Sequence, residues 1–463
     1  MSKLERDLRA SASRSWKTLA APLFVWIVLA AMWISACVFV ARYSSSMPMA
    51  DDLEWAEYVD PSAATDAEWW WSAFNEHRIP LPRVFFLALV RTTHDIRSGM
   101  YFDVCLLGGA ALASILVVRR LRGRTSYSDA VFPLLWLTCG NVENLLMMHS
   151  ISLILPSAIT CALLLLFAAS PDLPSWRKSL AVGLCLFSLP LCGAPGVTPA
   201  PALSLWCVYA GWKLVRSDEA RARSSGRILL ASAVATTLLL VFYFRDFDNP
   251  ASAEYSRSLL AALRQGLGFL TLGFGPAGRE FWPLSGWVTA AVISIGLAIL
   301  VLAFKARPSE RVRIAGLLAV AAGILSMALA TGIARGGGYE YAGFALRYVT
   351  LPAPLLSCLY LAFCLYGPAA VGQFMRVSLY SLLLLCFFFN LRIGTSLGEL
   401  HAREANAFRQ DIAKGLDVRQ LAVAHWWSFY SPPDAFEAHL ESLRKVGFGP
   451  MAHARPASND RHY

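Results

Sequence analysis

The chain has 463 residues, of which 56% are hydrophobic and 16% charged, with a mean hydropathy of +0.50. That balance excludes an ordinary soluble globule of this length. The net charge of +10 would suggest nucleic acid in a soluble protein, but here the cations cluster in short loops between apolar runs, as the topology signal of a membrane protein does.

The first apolar run, Leu19 to Val40, follows a basic stretch (Lys3, Arg6, Arg9, Arg14, Lys17). It is too long for the apolar core of a cleaved signal and reads as an uncleaved anchor. With ~20 apolar residues needed to cross the hydrocarbon core, further spans are predicted near 101–118, 129–148, 151–169, 178–194, 199–215, 228–244, 284–304, 314–333, 348–366 and 377–393, about eleven transmembrane helices in all. The predicted fold is therefore an all-α integral membrane protein, with a membrane domain over 1–393 and a small helical tail over 394–463. The ten cysteines lie in or beside apolar runs without a CxxC pair, which reads as small buried hydrophobes and not as zinc ligands or a disulfide framework.

Cationic loops alternate with loops that lack Lys and Arg. Arg119 to Arg124, Arg177-Lys178, Lys213 to Arg227, Lys305 to Arg313 and Arg376 fall on one side. The positive-inside rule makes that side cytoplasmic, with the N-terminus inside and the tail outside. The first outer loop, 43–100, is the large one. Its Trp69-Trp70-Trp71 cluster and the short apolar run Val84 to Val90 are predicted to be interfacial helices. The glycine-and-aromatic region 258–283 reads as a third or as a re-entrant piece, and the tail as two helical stretches, Leu397 to Gly415 and Asp434 to Arg444, broken at Ser431-Pro432-Pro433.

The chemistry-bearing residues collect on the outer side. Asp51 and Asp52 are adjacent carboxylates just past the first span, where mutual repulsion and low dielectric should raise one pKa and suit it to general-base work. The same pair could instead hold a divalent cation through oxygen ligands. Asn75-Glu76-His77-Arg78-Ile79-Pro80-Leu81-Pro82-Arg83 gathers an acid, an imidazole and two cations on a proline-stiffened strand of chain. The segment Gly140-Asn141-Val142-Glu143-Asn144, which runs on to His149, places a carboxylate at membrane depth, with two amides on one helix face. A glycine-rich outer loop carries Arg335, Glu340, Arg347 and Tyr348. Arginines on the outer side work against the topology signal, so anion binding is their expected task.

Taken together, the early acidic pair Asp51-Asp52, the proline-rich step from His77 to Pro82 into a following helix, and Arg347-Tyr348 entering a late span resemble the C-type (GT-C) glycosyltransferases. These are polytopic membrane enzymes that use polyprenyl-phosphate-linked sugars. The resemblance is one of layout and short motifs, and the pair here is Asp-Asp where the mannosyl- and aminoarabinose-transferase pattern is Asp-Glu. It implies a bacterial inner-membrane protein, of the kind that decorates O-antigen, lipopolysaccharide or other envelope glycans, transferring a sugar to a glycan or lipid acceptor on the periplasmic face. Asp51 or Asp52 would be the base. Arg335 and Arg347, helped by Arg78 or Arg83, would hold the donor phosphate. Glu76, His77, Asn141, Glu143, Asn144, Glu340 and Tyr348 would orient the acceptor or support the site, with or without a divalent cation. A transporter or flippase for a lipid-linked or anionic solute is the competing expectation, although such proteins often show repeated halves and none is evident.

Overall fold

The computed structural model describes residues 3–60, 67–75, 77–169, 175–245, 255–256, 258–337 and 341–457, and side chains of the first helix from 19 onward. Among these residues the regular structure is helical, apart from a two-residue hairpin that pairs Ala73–Phe74 with His77–Arg78 and an isolated bridge between Asp417 and Arg455. Eight helices are long and apolar enough to cross a membrane: Leu19–Tyr43, Arg97–Arg122, Met148–Ala168, Ala220–Tyr243, Leu284–Ala306, Pro308–Arg335, Leu346–Leu365 and Ala369–Ala413. The predicted spans at 129–148 and 178–194 are not single long helices, whereas that at 199–215 is one helix of the predicted bounds but a short one. The first is split into Val131–Trp136 and Val142–Leu146 around Gly140-Asn141. The second stops at Ser188 ahead of Pro190, and the third is a 16-residue helix, Ala200–Val215. At 1.5 Å per residue that last helix is about 24 Å long, short of the ~30 Å core. Proline and glycine interrupt the first two runs without lowering their hydropathy, so a hydropathy count overstates the number of full-length helices.

Two opposite ends of the bundle are chemically distinct. At one end Asp129, fully buried, accepts from Arg122, from the Ser126 backbone N–H (2.8 Å) and from the Tyr360 hydroxyl (2.6 Å). Nearby, Glu310 takes Arg313 and the Tyr366 hydroxyl, each at 2.8 Å. Asp129 and Glu310 are thus both paired with a guanidinium and a phenol, as charges in a low-dielectric interior require.

The other end carries the first connecting loop. A short helical segment, Ala50–Tyr58, buries Asp52, Leu53, Trp55 and Ala56. The tryptophan cluster packs inward: Trp69 lies 4.3 Å from the Tyr58 ring, and Trp71 stacks on Phe242 at 4.8 Å. The run predicted from Val84 to Val90 is longer, a helix over Pro80–Thr93 with its prolines in the first turn, where no intrahelical N–H is lost. Within 258–283, helix Leu259–Thr271 lies against Pro308–Arg335. A methyl at Gly266 or Gly332 would meet the carbonyls of Ala328 and Ala262 at 2.7 and 2.0 Å, so only glycine admits this approach.

The tail differs from expectation in one respect, while its helix after Ser431-Pro432-Pro433 falls where predicted. No break separates it from the last span, because Ala369–Ala413 is one helix of 45 residues, about 68 Å long. The remainder folds back as Val418–Phe429, Pro433–Lys445 and a final turn Gly449–His453. Phe408, Phe429, Phe436, Leu440, Leu443 and Met451 form its core. Helix Pro433–Lys445 packs against Ala50–Tyr58, and the Tyr430 hydroxyl donates to Glu54. The tail thus supports the segment that holds the two aspartates.

Candidate functional site

Asp51 and Asp52 are neighbours in sequence with opposite surroundings. Asp52 is 2% exposed. Its two oxygens accept the backbone N–H groups of Met148 (3.1 Å) and His149 (2.6 Å), the first amides of the membrane helix that begins there. A carboxylate at a helix N-terminus satisfies orphan donors and meets the positive end of the helix dipole. Burial nevertheless pushes its carboxyl up to about 7, with the two N–H donors pulling down and the Asp51 charge adding to the rise. The repulsion anticipated from the sequence is therefore the lesser cause, and burial the greater. Both oxygens of Asp52 are occupied, whereas the Asp51 side chain is 36% exposed and lies 3.9 Å from His149 Nε2.

His149 is the residue around which the loop closes. Its backbone N–H is fixed by Asp52. Phe74 packs on its ring at 4.6 Å, and Trp55 meets it edge-on at 5.9 Å. Phe74 arrives there because the hairpin sets it opposite His77, with Asn75 in the left-handed region (φ 49°) that asparagine tolerates. Ser152 Oγ is 3.5 Å from Nε2.

Behind His149 lies a mostly apolar cavity of about 190 Å³. His77, His149, Ser152, Thr198, Thr331, Arg335 and Tyr348 contribute polar groups to its wall, among residues such as Phe74, Ile79, Met327 and Leu351. Arg335 comes from the last turn of Pro308–Arg335. Arg347 stands beside it in sequence space of the same late loop, and the charges near its guanidinium are Asp51 and Glu143. It also lies 5.7 Å from the Tyr348 ring. Glu143 accepts from the Arg347 backbone N–H. Asn144 donates to Asn141 Oδ1 (2.6 Å) and to the Arg347 carbonyl (2.9 Å). The asparagine pair therefore braces the Arg347 turn and does not line the cavity.

The remaining arginines spend their guanidinium donors on the loop itself. Arg78 donates to three carbonyls, those of Tyr243 (3.2 Å), Trp71 (2.7 Å) and Arg245 (3.0 Å). Arg83 is 4% exposed and donates to Ser72 O and Oγ, both at 3.1 Å, and to the Trp69 carbonyl. Both guanidiniums are consumed in holding the loop together, which differs from the phosphate role expected of them. Backbone carbonyls need donors as much as phosphates do, and sequence does not reveal which claims an arginine. Glu76 and Glu340 lie outside the described residues.

Two participants were not singled out from sequence as site residues. His149 ended a quoted motif without a role. Asp103 is fully buried in Arg97–Arg122, and neither of its carboxyl oxygens has a hydrogen-bond partner among the described residues. Its charged neighbour is Asp52. A lone acid inside an apolar run was the available signal for it. No group of three His, Cys, Asp or Glu among the described residues is placed to hold a metal ion, so the paired-aspartate cation site has no third protein ligand there. Compared with family models, with curated proteins and with solved structures, the chain matches none.

Proposed function

We propose that the protein transfers a sugar from a polyprenyl-phosphate donor to an envelope glycan or lipid acceptor, at the non-cytoplasmic face of the bacterial inner membrane. The observation that carries this reading is the gathering of Asp51 and Arg347 around His149, which itself lines an apolar cavity that also contains Arg335. A half-exposed carboxylate, a guanidinium and an apolar recess at the end of a helical bundle are what a lipid-phosphate sugar needs: a base for the acceptor, a cation for the phosphate and a dry wall for the lipid.

In this mechanism Asp51 is the base, because both oxygens of Asp52 are taken by backbone amides. The acceptor hydroxyl attacks the anomeric carbon and its proton passes to Asp51. The bond from that carbon to the phosphate oxygen breaks, and the polyprenyl phosphate leaves with the electron pair. Arg335 stabilises the charge that grows on the phosphate. Arg347 fixes the direction of Asp51, and Asp52 fixes the backbone under His149.

The test is transfer of radiolabelled sugar from polyprenyl-phosphate hexoses and pentoses to extracted envelope glycans and lipids, by the purified protein in nanodiscs. Transfer by wild type that falls by about 10²–10⁴-fold in Asp51→Asn supports the assignment. Undiminished transfer in Asp51→Asn removes the base. Movement of the donor across the bilayer with no transfer to any acceptor replaces the enzyme with a flippase.

A further inference from the structure

The Asp51–His149 gap has dimensions that suit one particular atom. The imidazole is fixed in place by the Asp52 contact to its backbone and by Phe74 and Trp55 on its ring. Its Nδ1 is enclosed and has no hydrogen-bond partner among the described residues. Its Nε2 faces Asp51 Oδ2 at 3.9 Å and Ser152 Oγ at 3.5 Å. An enclosed N–H without an acceptor costs more than a bare ring nitrogen facing apolar groups, and a carboxylate attracts an N–H. Both arguments place the proton on Nε2. The 3.9 Å separation is too long for a direct hydrogen bond, but an oxygen about 2.8 Å from each atom spans it.

We propose that the acceptor hydroxyl binds in this gap, donating its hydrogen to Asp51 Oδ2 and accepting from His149 Nε2–H. His149 is then a catalytic residue that touches the substrate. It keeps its own proton throughout, while the hydroxyl proton moves to Asp51 as the new carbon–oxygen bond forms. Its N–H aims the oxygen lone pair that remains toward the cavity, where the sugar is held. The ligand class is an alcohol of a sugar or lipid headgroup, and Ser152 supplies a second hydroxyl beside it. This assignment rests on the sugar-transfer reading, which it extends to the acceptor.

Two variants separate the donor atom from the ring. His149→Phe keeps a flat ring against Phe74 and loses the N–H, whereas His149→Gln restores an N–H donor near the position of Nε2. With the same labelled polyprenyl-phosphate sugars, His149→Phe should lower kcat by about 10- to 100-fold, the worth of one substrate hydrogen bond. The donor KM should not change, and His149→Gln should recover most of the loss. Nitrogen-15 NMR of labelled histidines should show His149 with Nε2 protonated and Nδ1 bare, and its signals should shift in Asp51→Asn. Wild-type kcat in His149→Phe, equal losses in both variants, or the opposite tautomer would each overturn the acceptor site while leaving the transferase standing. A wild type that binds polyprenyl phosphate yet transfers no sugar from any donor removes the transferase reading, and the acceptor site falls with it.

Discussion

At the scale of residues, the two aspartates divide the work by environment. Asp52 is buried against amides, and Asp51 is partly exposed beside His149. Because burial raises the Asp52 carboxyl to about 7 from an unfolded value near 3.9, the folded protein still holds this proton between about pH 4 and 7 after the unfolded chain has lost it. The unfolded state therefore binds fewer protons, and this residue's contribution makes stability fall as pH rises through that window. Thermal unfolding in detergent should show the decline in wild type and a flatter profile in Asp52→Asn, and identical profiles would contradict the burial argument. The arginines divide in the same way. Arg78→Ala leaves three carbonyls without their donor and should cost about 1–3 kcal/mol of stability, with donor KM unchanged in the variant that remains folded. Arg335→Ala should raise donor KM, because its guanidinium lines the cavity. The sequence showed that cations and acids gather in the first loop and near 335–347, because charges beside apolar spans are conspicuous. It could not show which arginine meets a carbonyl, since that depends on loop closure between residues as distant as Arg78 and Tyr243.

At the scale of elements, the legible features were the long apolar helices, whose length alone identifies them. Two predicted spans are broken for a local reason that hydropathy does not register: Gly140-Asn141 and Pro190 interrupt apolar runs without adding charge. Those interruptions are also where the site is made, since the Val142–Leu146 turn supplies Glu143 and Asn144 to the Arg347 loop. The tail is the other element whose role was hidden. Its amphipathic helices were evident, but not that Pro433–Lys445 lies against the aspartate segment. Leu440 is fully buried in the tail core, and Leu440→Asp places a charge there at a cost of several kcal/mol. Hydrogen exchange should then accelerate in 418–453 and in 50–58, and transfer should fall, while the membrane helices keep their protection. Unchanged exchange over 50–58 would mean that the aspartate segment stands without the tail.

At the scale of the whole molecule, the bundle is closed at one end by paired charges and opened at the other around a cavity. The Asp129 cluster ties Arg122 to Tyr360, and so the second long helix to the seventh. Asp129→Ala strands a nearly buried guanidinium and should destabilise by about 3–5 kcal/mol, measured as thermal unfolding in detergent, without altering donor KM at the distant site. A shift in KM larger than the loss of folded protein would show that the two ends are coupled. The central claim is that the cavity behind His149 receives the donor phosphate. Its most direct measurement is a cryo-EM structure in nanodiscs with polyprenyl phosphate added. The account predicts the phosphate within hydrogen-bonding distance of Arg335 and open to the Asp51–His149 gap. A phosphate bound elsewhere on the bundle, with this cavity unchanged, would contradict it.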